Sequence, residues 1–402
     1  MAILKYLLPA LAASHIAFAA KSDNCDGTDT PITIQNQGDA SALASCETIE
    51  GDVEISEHVT GGIALDGVKE ITGSLTAIGA ANMSSLTAND LQTIGKSFEL
   101  SGLITLTTLG FGSLSEVGEI NWAALPNLQA LSFGTGVSKA GSVSITNTGL
   151  TSLDGISLDT VGNLDVTANP SLSEVNVNGI RNCTGLLNFA ANNEKLKISL
   201  PNLETGRNMT FRNTSSVSIP SLKSLTGQLG LFGNTFEDFA APNLTTVGDL
   251  VFDSNENLKN ISLPQLVTVN GGFQIAKNDE LKEIDGIPKL QTITGALDFS
   301  GVFDTVDVPS LEQVKGGFNM QSKGEFSCDP YQKLYQDGVI KGTYKCKPNL
   351  PNPTTKDGSS GTTDSTSSAA ATTSTGAAVQ NLANVPVMGL AAVLGGLLQL
   401  AM

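Results

Sequence analysis

Histidine, tryptophan and arginine are nearly missing from this sequence. Its 402 residues include 2 histidines and 1 tryptophan, and aromatic residues make up 5 % of the chain. His58 is the one histidine beyond the N-terminal apolar segment, so no Ser-His-Asp or Cys-His catalytic set can be assembled. No Cys and His spacing matches a zinc site. We therefore expect no catalytic residues, no metal and no cofactor.

Positive charge is also scarce. The chain has 22 Lys and Arg against 39 Asp and Glu, which gives a formal net charge of −17. This balance argues against a nucleic-acid partner and against electrostatic docking on anionic lipid. The acidic residues are spread along the chain, and we interpret them as contributing to solubility.

Long apolar runs are confined to the two ends of the chain. The first follows Lys5 and ends at Ala17-Phe18-Ala19, which fits a small-x-small cleavage site and predicts a signal peptide over residues 1–19. The second covers residues 385–402, behind a polar spacer and the small residues Gly376-Ala377-Ala378. That order is typical of a glycosylphosphatidylinositol (GPI) attachment signal, whose tail is removed.

We place the GPI lipid on Gly376, with Ser374 and Asn381 as alternatives. Residues 377–402 would then be the removed propeptide, and an uncleaved tail-anchored helix is the competing interpretation. Residues 351–376 are rich in Ser, Thr, Ala and Gly. Such a segment has too little apolar surface to fold, so we expect an extended, O-glycosylated stalk. The chain is thus predicted to reach the outer face of the plasma membrane and the cell wall.

N-glycosylation sequons and cysteines support an extracellular location. Six sequons are present, at Asn82, Asn182, Asn208, Asn213, Asn243 and Asn260. In an oxidising compartment we pair Cys25 with Cys46 and Cys328 with Cys346, one pair at each end of the central region. Cys183 is left over, either as a buried thiol or as an intermolecular link.

An internal repeat determines the fold prediction. A glycine opens each unit, and the interval to the next is 21 to 24 residues. Thirteen units follow from these glycines: Gly51, Gly73, Gly95, Gly118, Gly141, Gly162, Gly185, Gly206, Gly227, Gly248, Gly271, Gly295 and Gly316. The interval after Gly206 carries a register slip, since Met209/Phe211 lie one residue later than the usual apolar pair.

Each unit contains three short apolar pieces. The first alternates after the glycine, as in Leu250/Phe252, which is typical of a strand with one buried face. The second follows an Asn or a small turn, and the third has the form Φ-Pro-x-Leu-x-x-Φ, as at Pro264. Because proline would remove a hydrogen bond from a central strand, we expect each proline at the first residue of a strand.

We therefore predict an all-β protein, a right-handed parallel β-solenoid of about thirteen coils over residues 51–326. At one strand spacing per coil the rod would be roughly 60 Å long. Residues 20–50 and 327–350 would cap its open ends, each with a short helix, over Asp39–Ser45 and Asp329–Gln336.

A row of asparagines belongs to the same architecture. Asn169, Asn192, Asn234, Asn255 and Asn278 each fall seven residues after their glycine, which predicts a buried ladder of amide hydrogen bonds between coils. Asn213 has the same spacing but lies in a sequon. If Asn213 is in the ladder, it is buried and cannot be glycosylated.

The segment "CETIEGDVEIS", Cys46 to Ser56, resembles the C-x-x-I-x-G-x-L-x-I opening of the leucine-rich receptor L domain. With the preceding helix and cysteine, the repeats, the Ser/Thr stalk and the lipid signal, the whole chain resembles the fungal GPI-anchored cell-wall organisation family of extracellular-mutant and sporulation-specific type. This resemblance implies a non-enzymatic glycoprotein of membrane and wall, required for wall integrity. The family offers no catalytic residues to carry over.

Two other functions compete with a wall scaffold. A carbohydrate-active β-helix enzyme would need two suitably placed carboxylates, and the acid pairs Asp249/Asp253 and Asp304/Asp307 lack an aromatic sugar platform. A receptor-like module would bind a soluble ligand. Only the analogy with L domains supports this alternative, and a shared fold by itself is weak evidence for a function. The expected partners are wall polysaccharide or wall proteins. We expect a binding face on the first strands, where Asp249, Val251 and Asp253 point outward.

Overall fold

The computed structural model describes residues 23–355. The predicted signal peptide, the stalk from residue 356 and the GPI-attachment segment lie outside this range. Within it the chain is almost entirely strand and turn, and every strand pairing is parallel. The predicted all-β parallel solenoid is therefore confirmed.

One coil shows how the sequence builds this fold. Its three strands are Leu250–Asp253, Asn260–Ser262 and Thr268–Val269. Leu250, Phe252 and Leu258 are fully buried in the interior. The first and third strands pair with their equivalents in the next coil, so Leu250 lies opposite Phe273 and Thr268 opposite Thr292. The second strand pairs with Asp238–Ala240 of the preceding coil. The apolar repeat thus becomes a continuous stack of side chains along the rod.

First and third strands share one 22-stranded sheet. In six places a third strand continues into the next first strand: Thr48–Ile55, Thr93–Ser101, Glu116–Leu125, Val137–Thr148, Asn182–Ala190 and Thr205–Arg212. In seven places the two are separate: Glu70–Ile71 and Leu75–Ile78, Ile156–Val161 and Asn163–Thr167, Ser224–Leu225 and Leu229–Phe232, Thr246–Val247 and Leu250–Asp253, Thr268–Val269 and Phe273–Ala276, Thr292–Ile293 and Leu297–Gly301, and Gln313–Val314 and Phe318–Ser322.

Second strands form four smaller sheets on another side of the rod. Their members are Thr60–Ala64, Asn82–Thr87 and Thr108–Gly110; Glu174–Asn176, Lys197–Ser199 and Ser216–Ser218; Asp238–Ala240 and Asn260–Ser262; and Glu283–Ile284 and Thr305–Val306.

Two further strands extend the solenoid at its ends. Asp26–Ile34 pairs with the first coil, and Tyr344–Lys347 pairs with Phe318–Ser322. They raise the thirteen coils of the glycine repeat to about fifteen rungs, which at one strand spacing per rung make a rod roughly 65 Å long. The caps therefore add strands to the stack and also cover its ends.

The repeat glycines are required by close approach of successive coils. A Cβ atom added at Gly248 would lie 2.5 Å from the carbonyl oxygen of Gly227, and one at Gly316 would lie 2.5 Å from that of Gly295. No side chain fits between backbones at that distance. The column of glycines is thus a packing requirement of the stack.

The prolines do not begin strands, contrary to the sequence prediction. Pro264 lies in a turn, where the Leu266 N–H donates to the Leu263 carbonyl at 3.1 Å. Proline is favoured at the second position of such a turn because its φ is already fixed there. The same bond joins Leu222 to Ile219 and Leu244 to Ala241. The Φ-Pro-x-Leu motif is therefore a turn that precedes the third strand.

The asparagine ladder is present, with threonines at two of its positions. Asn255 Oδ1 accepts from the backbone N–H and the Nδ2 of Asn234, at 3.0 and 2.9 Å. Its own Nδ2 donates to the Leu231 carbonyl at 3.0 Å. Thr214 occupies the position expected for Asn213, and its hydroxyl donates to Asn234 Oδ1 at 2.8 Å. Thr148 is bound to Asn169 in the same way.

Both caps carry a helix and a disulfide. The N-terminal helix is Gln37–Ala42, earlier than expected, because Asn36 accepts from the Gly38 and Asp39 N–H groups and starts it. The C-terminal helix is Asp329–Gln336, as predicted. Cys25 is bonded to Cys46, with Cα atoms 5.7 Å apart, and Cys328 to Cys346, with Cα atoms 6.0 Å apart.

Candidate interaction surfaces

The histidine and the tryptophan considered for catalysis lie in different environments, one on the surface and one in the core. His58 is on the surface with its side chain 86 % exposed, and its Nε2 is 3.7 Å from Glu57 Oε1. Trp122 is fully buried and packs edge-on against Phe98. A buried tryptophan is part of the core and cannot serve as a platform for a sugar ring.

The two acid pairs have structural contacts. Asp249 Oδ1 accepts from the Gly272 N–H at 2.7 Å, and Asp304 Oδ1 accepts from the Glu325 N–H at 3.2 Å. Asp253 Oδ1 accepts from the Ser254 hydroxyl at 2.5 Å. These carboxylates join neighbouring backbone segments and neighbouring side chains.

The surface of residues 23–355 has two shallow depressions and no cluster of metal-binding side chains. In that range no three His, Cys, Asp or Glu side chains are grouped to hold a metal ion. One surface depression of about 460 Å³ is lined by Pro170 and residues 192–195. A second, of about 160 Å³, is lined by Phe318, Asn319, Thr343 and Lys345 at the C-terminal end. Neither contains a histidine, cysteine or aspartate.

The outer face of the first strands differs from the binding face that the sequence suggested. Val251 is only 2 % exposed although it lies outside the core cluster. Beside it the Arg212 guanidinium is 4.0 Å from the ring centre of Phe232. Burial lowers the pKa of Arg212, and the nearby Asp253 carboxylate opposes this shift. In these coils the face is therefore filled by its own side chains.

Further along the same face, the end of the described chain lies on the sheet. The Thr354 carbonyl accepts from Asn319 Nδ2 at 3.0 Å and from Gln321 Nε2 at 2.7 Å. The Leu350 N–H donates to the Ser322 carbonyl at 2.9 Å. Residues 350–354 thus cover the outer face of Phe318–Ser322, the strand that ends the series of first strands.

The six sequons differ in exposure. Asn82, Asn213, Asn243 and Asn260 are exposed, whereas Asn182 and Asn208 are half-buried. Asn213 stands at φ 55°, in the left-handed region that asparagine tolerates better than most residues, one position before the ladder. Asn182 Oδ1 accepts from the Thr205 hydroxyl at 2.9 Å, and Asn208 Oδ1 accepts from the Gln228 N–H at 2.9 Å. Glycosylation at all six remains a prediction, and the structure makes the four exposed sites the better candidates.

Cys183 is a free, fully buried thiol. Its Sγ lies 3.5 Å from the Gly162 carbonyl, and burial raises its pKa. Of the two interpretations left open, the structure supports the buried thiol.

A surface feature that the sequence analysis missed lies on the third strands. Thr205, Ser224, Thr246, Thr268, Thr292 and Gln313 are aligned side by side in successive rungs. We call these six residues, five with a hydroxyl group and Gln313 with an amide, the hydroxyl column. Each is four residues after the proline of its motif, for example Pro264 and Thr268. That fixed spacing was the available signal, and it was overlooked because Thr is common on any strand surface.

No helix among residues 23–355 has the length and apolar character needed to cross a bilayer.

Comparisons with known proteins identify the family. The family model Ecm33, described as a GPI-anchored cell wall organization protein, matches residues 1–44. Protein ecm33 of Aspergillus fumigatus is 57 % identical over 399 residues, covering 99 % of each chain. A cell surface GPI-anchored protein of Arthroderma benhamiae is 49 % identical, covering 90 % of this chain and 92 % of that one. Cell surface GPI-anchored protein ECM33 of Candida albicans is 31 % identical, covering 89 % and 88 %. No solved structure matches the chain.

The fold is a parallel β-solenoid, and exposed sequons lie on its outer surface. The chain belongs to the Ecm33 family of GPI-anchored cell-wall organisation proteins. Its location is the outer face of the plasma membrane and the cell wall, and its role lies in wall organisation. The names of these relatives describe wall and cell-surface proteins and no enzyme.

Proposed function

We propose that this chain acts without catalysis, as a lipid-tethered scaffold that binds wall components and so supports wall integrity. The observation that carries the proposal is the rod itself, about fifteen parallel rungs whose apolar side chains face inward. Such a stack presents long, regular outer faces and is stabilised along its whole length. A scaffold can use such faces for repeated contacts along a partner.

The contacts of the acidic residues support the same proposal. Asp249 and Asp304 accept hydrogen bonds from backbone N–H groups of the next coil. Each side chain is thereby held against the backbone of the adjacent coil, whereas glycoside hydrolysis needs two carboxylates that flank a sugar site.

We further propose how the rod is attached. The lipid would be on Gly376, with Ser374 and Asn381 as alternatives. Residues 351–354, predicted as the start of the stalk, lie on the sheet instead, so residues 355–376 would separate the rod from the membrane. Phosphatidylinositol-specific phospholipase should then release the protein from intact cells. Retention of the protein with residues 385–402 still present would contradict this attachment.

The function is tested by deleting the gene and measuring wall composition and survival under wall stress. We expect a wall defect that the full chain rescues and that Asp249→Ala/Asp304→Ala also rescues, because neither carboxylate has a chemical step to perform. A normal wall in the deletion strain, together with stable capture of one soluble protein ligand, would favour the receptor-like alternative.

A further inference from the structure

The hydroxyl column is a regular, outward-facing array. Five members sit one residue before a buried Leu, Val or Ile of the third strand, and Thr205 sits before the half-buried Gly206. The preceding proline turn fixes where each strand begins. Neighbours are direct pairing partners, so Thr246 lies opposite Thr268 and Thr268 opposite Thr292. The hydroxyls are therefore spaced by one strand separation, about 4.8 Å, along the rod axis.

Hydroxyls in the middle of the column have no partner of their own. Within residues 23–355, the side chains of Ser224, Thr246, Thr268 and Thr292 make no hydrogen bond. Some threonine hydroxyls elsewhere on the rod are bonded, as between Thr146 and Thr167 at 3.0 Å. These four hydroxyls are thus available to donate to and accept from a ligand.

Charge along the column also selects a class of ligand. All six positions are uncharged although the whole chain has a formal net charge of −17. Earlier rungs of the same face carry Glu116 and Lys139, whose Oε2 and Nζ are 3.2 Å apart. A neutral strip on an acidic protein is complementary to a neutral polymer and unsuited to a charged one.

None of the six residues of the column is a sequon asparagine. Asn182 lies on the rung before Thr205, and the Thr205 hydroxyl donates to its Oδ1. Two other sequons lie three residues from a member of the column: Asn208 follows Thr205 in the same strand, and Asn243 precedes Thr246 in the proline turn. Glycans on the second strands, at Asn82 and Asn260, would point to another side of the rod.

We propose that the hydroxyl column binds a neutral wall polysaccharide laid along the rod axis. One strand separation is close to the length of one sugar unit in an extended chain, so successive sugars would meet successive rungs. The methyl group of each threonine contacts the apolar face of a sugar, while its hydroxyl bonds to a sugar hydroxyl. This inference rests on the proposed scaffold function and names the surface and the ligand class.

The test is co-sedimentation of the glycosylated ectodomain with insoluble chitin and with insoluble β-glucan. The main variant is Thr246→Val/Thr268→Val/Thr292→Val, which removes three hydroxyls and keeps the shape and strand preference of each side chain. A matched control is Thr60→Val/Thr108→Val/Thr305→Val, at exposed positions of the second strands. Thr268→Lys, with Thr108→Lys as its control, blocks the column by bulk and charge.

We expect at least one of the two polymers to retain the unmodified protein, and the column variants to weaken that binding about tenfold or more, with both controls unchanged. Thermal unfolding midpoints within a few degrees of each other show that the variants fold. Equal binding by the column variants would overturn the inference and leave the scaffold function standing. Failure of the unmodified protein to bind either polymer would also overturn it, and rescue of the wall defect then tests the scaffold function separately.

Discussion

At the scale of single residues, buried asparagines fix the register of neighbouring coils. Asn255 bonds to both neighbouring coils through one amide group. It accepts from the Asn234 N–H and donates to the Leu231 carbonyl on the preceding coil, and it donates to Asn278 Oδ1 on the next coil at 3.1 Å. It is fully buried. Removing it would leave groups on both neighbours without a partner in an interior that water does not reach.

We predict that Asn255→Ala lowers the free energy of unfolding by about 2–5 kcal/mol, because each buried polar group left unsatisfied costs about 1–3 kcal/mol. Chemical denaturation of the ectodomain measures the total. Hydrogen exchange of the Asn234 amide, which donates to Asn255 Oδ1, should also be faster. Asn257→Ala is the control, because Asn257 is exposed and makes one bond, to the Thr235 carbonyl at 3.3 Å. Equal losses in the two variants would contradict a special role for the ladder.

Tyr331 links the C-terminal helix to the last coils. Its hydroxyl donates to the Val306 carbonyl at 2.7 Å, and burial, followed by the nearby Asp307 carboxylate, raises its pKa. A raised pKa in the folded state means that folding favours the neutral phenol. The contribution of Tyr331 to stability is therefore complete below its unfolded pKa of about 10 and is lost as the pH rises above that value.

We predict that the unfolding midpoint of the ectodomain decreases as the pH is raised above about 10. Tyr331 would account for a loss of up to about 1.4 kcal/mol of the free energy of unfolding per pH unit. Tyr331→Phe should be less stable at neutral pH, because it lacks the bond to Val306, and should fall less steeply at alkaline pH. An equal loss of stability per pH unit in both proteins would contradict the assignment of this pH dependence to Tyr331.

At the scale of elements, the repeat made the strands predictable and left the turns less so. Alternating pairs such as Leu250/Phe252 gave the first strands, because their period of two follows directly from strand geometry. The proline motif was misplaced because a proline before an apolar residue suits either a strand start or the second position of a turn. Only the Leu263–Leu266 hydrogen bond distinguishes the two.

The position of Thr214 in the ladder shows why counting seven residues from the glycine chose the wrong residue. Gly206 pairs with Cys183 and Leu225, which are buried third-strand residues, so it is not equivalent to the opening glycines. Arg207 takes the opening position of this coil, since its carbonyl accepts from the Gly227 N–H at 2.9 Å. Counting seven residues from the glycine therefore reaches Asn213, which is exposed. Counting three residues from the buried Phe211 reaches Thr214, and the same count from Phe252 reaches Asn255. The hydroxyl column was missed for a different reason, since surface threonine has no distinctive pattern until register aligns it.

The caps are elements whose stability depends on their disulfides. Cys328–Cys346 joins the C-terminal helix to the last strand across 18 residues of sequence. We predict that Cys328→Ser/Cys346→Ser lowers the free energy of unfolding by about 2–4 kcal/mol, chiefly by releasing a constraint on the unfolded chain. Thermal unfolding measures the loss, and limited proteolysis should cut first within residues 327–350. An unchanged midpoint would show that strand pairing alone holds the cap.

At the scale of the whole molecule, stacked rungs and a terminal tether define what the protein can do. Residues 350–354 lie against the outer face of Phe318–Ser322, so the described part of the chain ends on the side of the rod. The third-strand face, with the hydroxyl column, lies on a different part of the same sheet and stays uncovered by that segment. A rod held in this way can present one long face to wall polymer while remaining attached.

The most direct measurement of the central claim is release of soluble sugar from purified wall by the ectodomain, followed over time. We predict that the protein sediments with wall material and releases no more sugar than a buffer control, because its acidic residues hold backbone segments together. Release of sugar that is lost in Asp249→Ala or Asp304→Ala would contradict the account and make the protein an enzyme.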